Sequence, residues 1–327
     1  MTACTMMCLA IVLLTSCAKN EYVLVWEDNF DADTLNTAFW NVEDNARGGG
    51  NAELQYYSPA NVTFENYPGT DAHCLVLNAQ REDYYFDYNG QEGYRPCTSV
   101  RLNTQDKVTV EYGKVEARIA FPYTANGLWP AFWMLGNNLA TDLGDDDAID
   151  NLQARLEAQG RTVWPKCGEI DIVEMGHHKG IENGTQDRFF NGACHWGESF
   201  NNGAYPNVGM FKTADYPVQG DFHLYTLIWT EDSIAMYLDQ DLYPETEPYF
   251  TLSLRGKDIN QPGHYFNHPF YFVLNLSVGG YFPDMPNPDK YSACIDKSLL
   301  APVTALPEDG TPVKMYVDYI RVYKKKL

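Results

Sequence analysis

The segment Gly168-Glu169-Ile170-Asp171-Ile172-Val173-Glu174 sets three carboxylates among β-branched apolar residues, a composition that favours a strand over a loop. Acids in such a setting cost free energy unless they are put to use, because burial penalises their charged forms. Side chains alternate along a strand, so Glu169 and Asp171 share one face and Glu174 points to the other. A β-bulge between Asp171 and Glu174 returns all three to one face, and bulges are common beside active sites because they re-aim a side chain. Carboxylates so grouped suit retaining glycosidic bond cleavage, in which one ionised acid attacks the anomeric carbon and a protonated one gives its proton to the leaving oxygen, at roughly 5–5.5 Å separation. At about 3.3 Å rise per residue the two glutamate Cα atoms stand ~13 Å apart even with the bulge, so their side chains must lean together over Asp171. Crowding separates their pKa values, since like charges in one site do not all ionise, and Asp171 is placed to share a proton with a neighbour. The plain alternatives are solvated acids on a strand edge or a calcium site.

Such a strand needs a sheet, and the chain supplies many short runs of β-branched and aromatic residues bounded by Gly, Asn, Asp or Pro. Among them are residues 75–79, 115–119, 224–229, 234–238, 270–274 and 315–320. This pattern predicts an all-β antiparallel sandwich. No internal repeat or linker divides it, so one domain is expected. One short inserted helix is expected between 145 and 160, where Asp145, Asp146 and Asp147 precede Ile149, Leu152 and Leu156 at helical spacing and Gly160 follows as a stop. The aspartates read as a helix start, with calcium binding as the other reading.

Residues 6–14 form an apolar run too short to span a bilayer, followed by Thr15-Ser16-Cys17. Leu14 to Cys17 resembles a bacterial lipobox, so residues 1–17 are expected to be a lipoprotein signal with Cys17 lipidated, and residues 18–23 a tether. The expected location is exported and anchored by lipid at the outer membrane or cell surface, although no Lys or Arg precedes the apolar run. A net charge of −21 would repel phosphate backbones, so no nucleic-acid partner is expected. With 23 Tyr and 7 Trp, flat amphipathic rings exceed what a core alone needs, which favours a ligand with apolar faces such as a sugar. Cys74, Cys97, Cys167, Cys194 and Cys294 are odd in number, irregularly spaced, and imply no disulfide framework. Cys167, His177, His178, Cys194 and His195 lack paired zinc-ligand spacing, so no catalytic metal is expected.

Glu169-Ile170-Asp171-Ile172-Val173-Glu174 resembles the E-x-D-x-x-E signature of glycoside hydrolase family 16. The likeness extends in order through residues 26–30, 51–57, 101–104, 112–118, 127–134, 164–165, 274–280 and 317–323. It implies a concanavalin-like β-jelly-roll with a concave substrate cleft, filling residues 24–327, and retaining endo-hydrolysis of internal β-glycosidic bonds. Carried onto this chain, it makes Glu169 the nucleophile, Glu174 the general acid and then base, and Asp171 the assistant of Glu169. Trp129, Trp133 and Trp164 match positions that stack on sugar rings; Asn51, Glu53 and Arg101 match polar cleft positions; His195 matches a histidine facing the acids. Each tryptophan also reads as cleft wall or core, and His195 as a structural histidine.

No cofactor is required by this chemistry. The family carries a structural calcium on the face away from the cleft, and Asp318 matches one ligand position, while Asn29 stands where the family has Glu. The residues 51–57 are like those of laminarinases and mixed-linkage glucanases, which implies a β-1,3- or mixed 1,3/1,4-glucan substrate. Residues 137–163, 175–180 and 184–196 resemble instead family members that act as endo-β-galactosidases on mucin-type O-glycans. A non-catalytic glycan-binding lipoprotein is a third reading, and a monomer is expected.

Overall fold

In the computed structural model, residues 21–88, 90–124, 127–140, 156, 158–200, 204–288 and 300–326 are described. Two sheets pack face to face. The convex sheet holds β1 (Tyr22–Asp28), β3 (Tyr56–Tyr57), β4 (Val62–Asn66), β5 (His73–Tyr88), β6 (Gln91–Ser99), β9 (Gly113–Ala120), β14 (Phe222–Trp229), β15 (Ser233–Leu238), β16 (Phe250–Ser253) and β18 (Val313–Lys325). The concave sheet holds β2 (Asn41–Val42), β7 (Arg101–Asn103), β8 (Thr109–Val110), β10 (Leu128–Gly136), β11 (Glu169–Met175), β12 (Phe189–His195), β13 (Asn207–Thr213) and β17 (Phe270–Val278), ordered β13-β12-β11-β10-β17-β7-β2 with β8 also on β17. This is the expected all-β jelly-roll sandwich.

Alternation divides the central concave strands into a core face and a cleft face. Along β17, Phe270, Phe272, Leu274 and Leu276 fill the space between the sheets, while Asn275 and Ser277 point to the other side and are also buried. In β10, Phe132 and Met134 enter the core and Trp129, Ala131 and Trp133 face the cleft. Opposite them, Val115, Ala117, Ile119, Tyr225 and Leu227 of the convex sheet close the core. Removing one such ring, as in Phe132→Ala, costs about 3–5 kcal/mol through lost burial and the cavity left behind.

One departure from the sequence reading concerns the start of the first strand. Tyr22 and Val23, expected in a tether, are strand residues, because they pair with Lys325 and Lys324 of β18. Most of the inserted helix, with Asp145, Asp146 and Asp147, lies outside the described residues. At its end Gly160 takes a positive φ of 66° and the Arg161 N–H bonds the Leu156 carbonyl at 2.7 Å. Two helices not foreseen are His178–Glu182 and Ala301–Thr304. Cys74, Cys97, Cys167 and Cys194 are buried free thiols. Residues 1–17, with Cys17, and Cys294 lie outside the described residues.

Candidate active site

The acid strand β11 is bracketed by glycines that only glycine can satisfy. Gly176 has φ 97°, and a Cβ there would meet the Leu128 carbonyl at 2.0 Å; at Gly168, φ 76°, it would meet the Phe270 ring at 2.7 Å. Between them the strand carries the bulge. Glu169, Asp171 and Glu174 lie opposite Leu135, Trp133 and Ala131 of β10 and opposite His195, Ala193 and Asn191 of β12, and one extra residue is absorbed between Asp171 and Glu174. Partners on both sides thus alternate regularly, and all three acids come to the same face. The buried Tyr249 hydroxyl donates to the carbonyl of Ile172, inside the bulge where the ladder is interrupted.

Each glutamate is gripped by an indole. Trp164 Nε1 donates to Glu169 Oε2 at 2.9 Å, and Trp129 Nε1 donates to Glu174 Oε1 at 3.0 Å. Asn191 Nδ2 donates to the other Glu174 oxygen at 2.9 Å. His195 Nε2 lies 3.1 Å from Asp171 Oδ2 and 3.9 Å from Glu169 Oε1. Burial, with Asp171 and Glu174 alongside, pushes the Glu169 carboxyl up to about 8, against the pull of His195 and Trp164. Burial and then Glu174 drive Asp171 well above the carboxylate range, and burial raises Glu174 although Asn191, His195 and Trp129 oppose it. Three acids so confined cannot all ionise near neutrality, and proton sharing among them is what acid–nucleophile chemistry requires.

These groups line a cleft of about 780 Å³, and every residue nominated from sequence lines it: Asn51, Glu53, Arg101, Trp129, Trp133, Trp164, Glu169, Asp171, Glu174 and His195. Their surroundings differ. Glu53 is buried and accepts from Gln55 and Tyr57 at 2.6 Å each, and Tyr57 reaches Ser277 at 2.8 Å. Arg101 is ion-paired to Glu43 at 3.0 Å and lies over the Trp133 ring, whose Nε1 donates to Asn275 at 2.7 Å. Among the described residues, Glu169, Asp171 and His195 form the one group of three whose potential metal-ligand atoms lie within 4.8 Å of one another.

A model of the glycosyl hydrolases of family 16 matches residues 56–253. The chain belongs to glycosyl hydrolase family 16. A glucan endo-1,3-beta-glucosidase A1 of Niallia circulans is 30% identical to this family 16 chain over 93% of it, but the match spans only 38% of that relative. A keratan-sulfate endo-1,4-beta-galactosidase of Sphingobacterium multivorum is 26% identical over 96% of the chain and 58% of that protein. Among solved structures, a Bacteroides ovatus mixed linkage glucan family 16 protein, in complex with its G4G4G3G product, superimposes with a TM-score of 0.66 at 28% identity. It covers 91% of this chain and 99% of that one.

The family's structural calcium does not fit the side chains present here. Asp318 is ion-paired to Arg118 at 2.7 Å, and Asn29 Oδ1 accepts from Arg321 at 3.0 Å. The two positions the resemblance nominates are thus already engaged by guanidinium groups.

Sequence reasoning missed several cleft residues. Asn191 follows from His195 by strand alternation through Ala193, a signal that was present. Phe282 stacks on Trp129 at 4.9 Å, and His177 packs edge-on against Phe282 at 4.8 Å and Phe211 at 4.5 Å. Tyr205 packs against Trp164 at 4.7 Å. Phe211, Phe282 and Tyr205 join the site from distant loops and strands, so no local pattern announces them, whereas His177 follows Glu174 by three positions, within the loop 175–180 that the sequence singles out.

Proposed function

We propose that this family 16 chain is a retaining, endo-acting glycoside hydrolase of β-1,3- or mixed 1,3/1,4-glucan. The observation that carries the reading is the bulged strand, which sets Glu169 and Glu174 on one face with an indole N–H on each and Asp171 between them. Endo action is supported by the rings beyond both acids, Trp164 and Tyr205 at one end and Trp129, Phe282 and Phe211 at the other, so that sugars bind on both sides of the scissile bond. The relatives named for glucan support the substrate class.

Geometry treats the two glutamates nearly alike; their roles rest on the resemblance. Glu169 attacks the anomeric carbon while Glu174 gives its proton to the leaving oxygen, and the C–O bond breaks as the glycosyl ester forms. Esterification removes the negative charge at Glu169, which lowers the proton affinity of Glu174. Glu174 then takes a proton from water, and the hydroxyl group displaces Glu169 from the sugar. Asp171, held by His195, stabilises whichever charge Glu169 carries.

A second reading, endo-β-galactosidase action on mucin-type O-glycans, is favoured by His177 at the Glu174 end of the cleft and by the keratan-sulfate relative. The lining argues for a neutral glycan in either case. Among the described residues it brings together Glu53, Glu169, Asp171 and Glu174 against Arg101, which is paired to Glu43. Incubation with laminarin, barley β-glucan, keratan sulfate and agarose, with product sizing and NMR of the first-formed anomer, tests the reading. Internal cleavage of a neutral glucan with β-anomer released first is expected; α-anomer first, or cleavage of neither glucan, overturns it.

The lipid anchor at Cys17, the outer-membrane or cell-surface location, the absence of nucleic-acid binding and the monomeric state are further proposals. Palmitate labelling that survives Cys17→Ala would overturn the anchor.

A further inference from the structure

Tyr205 meets the catalytic centre in two ways that no motif accounts for. Its hydroxyl lies 3.1 Å from His195 Nδ1, on the ring edge opposite the one that faces Asp171. Its ring packs at 4.7 Å, nearly perpendicular, against Trp164, whose indole N–H grips Glu169. Phe200, 54% exposed, closes the group at 5.6 Å from both rings.

We propose that Tyr205 is a positioning residue of the reaction, its hydroxyl orienting His195 toward Asp171 and Glu169 while its ring completes, with Trp164 and Phe200, an aromatic site for the neutral hexopyranose bound on the Glu169 side. This rests on the glycosidase reading above. Where Asp171 is ionised it only accepts, so the His195 Nε2 facing it carries a proton, Nδ1 of the neutral ring accepts, and Tyr205 donates; where Asp171 keeps its proton, Nε2 of the neutral ring accepts, Nδ1–H donates, and the hydroxyl accepts. If His195 is charged, Nδ1–H donates and the same hydroxyl accepts. A hydroxyl therefore holds the ring in both charge states, as a one-way donor or acceptor would not. The phenol keeps its proton throughout, since burial and then Glu169, Asp171 and Glu174 push it up to about 12. The charged groups facing His195 are these acids, the first two from β11 at the distances given above, and Tyr205 is the titratable group on its far edge.

Tyr205→Phe keeps the ring and removes the hydroxyl. Its kcat on the preferred glucan is expected to fall about tenfold with KM within about twofold, and the pH–rate profile to shift, as for loss of a group acting through another. Tyr205→Ala is expected to raise KM about fivefold or more besides, from loss of the stacking ring. Nitrogen-15 spectra of His195 read the orientation directly: the Nδ1 signal moves in Tyr205→Phe even if activity cannot be compared. Wild-type kcat, pH profile and His195 spectrum in Tyr205→Phe overturn the positioning role, and an unchanged KM in a folded Tyr205→Ala overturns the sugar site. Glu169→Gln separates the two levels. If it is inactive while both Tyr205 variants behave as wild type, this inference alone fails; if it remains active, the glycosidase reading fails with it.

Discussion

Among the described residues, two histidine–aspartate pairs centre on a buried aspartate, and they are built to opposite ends. Asp239, behind the convex sheet, accepts from His223 Nδ1 at 2.8 Å, Tyr216 Oη at 3.0 Å and the Leu224 N–H at 2.9 Å. Burial works to raise its pKa, but those bonds outweigh it and hold Asp239 below the usual range, ionised and fixed. Asp171, in the cleft, has His195 at 3.1 Å, and burial with Glu174 beside it drives its pKa far up. Donor supply decides the outcome: a buried carboxylate with three donors bonded to it is architecture, and one crowded by other acids is held ready to exchange protons.

Breaking each region should give different losses. Glu169→Gln and Glu174→Gln are expected to lower glucan hydrolysis by about a thousandfold or more while far-UV circular dichroism stays unchanged, as for removal of a nucleophile or its acid partner. Steady-state assay of the folded variants checks this; activity within tenfold of wild type would erase the contrast. Asp239→Ala should do the reverse. It strands the His223, Tyr216 and Leu224 donors, costing about 2–4 kcal/mol in urea unfolding, with kcat per folded molecule preserved.

The pH dependence sharpens the comparison further. The folded-state pKa of Glu169 is raised to about 8, so its contribution to stability is present below its unfolded pKa and lost as pH rises toward 8. The melting temperature of Glu169→Gln should therefore gain on wild type as pH goes from 5 to 8, by the equivalent of about 1–3 kcal/mol. The contribution of Asp239, whose pKa is depressed, is present at neutral pH and lost as pH falls through the acid range, so Asp239→Asn should close its deficit on acidification. A parallel pair of curves would refute the distinction. Smallest is Tyr249→Phe, which leaves the Ile172 carbonyl in the bulge without its donor; about 1 kcal/mol of stability and a severalfold drop in kcat are expected. Loss of stability with kcat intact would show that the bulge holds its shape without it.

Much of this arrangement was legible before any coordinates. Alternation and β-branched runs announced the sandwich, and the odd spacing from Asp171 to Glu174 among residues too apolar for a loop demanded the bulge. The supporting groups were not legible, for a physical reason. Tyr249, Phe282, Phe211 and Tyr205 come to support the site only because sheet order brings distant segments together, and nothing in their local sequence encodes that order. Glu53 illustrates the middle case: its polarity in a cleft block was readable, but the Gln55, Tyr57 and Ser277 chain that holds it depends on β17 lying beneath.

The central claim is that Glu169 forms the bond to sugar while Glu174 manages the proton. Reaction with a 2-deoxy-2-fluoro-β-glucosyl oligosaccharide bearing a dinitrophenyl leaving group, followed by peptide mapping by mass spectrometry, tests it most directly. The account predicts one sugar adduct per chain, on Glu169; an adduct on Glu174, or none with a substrate that is turned over, would contradict it.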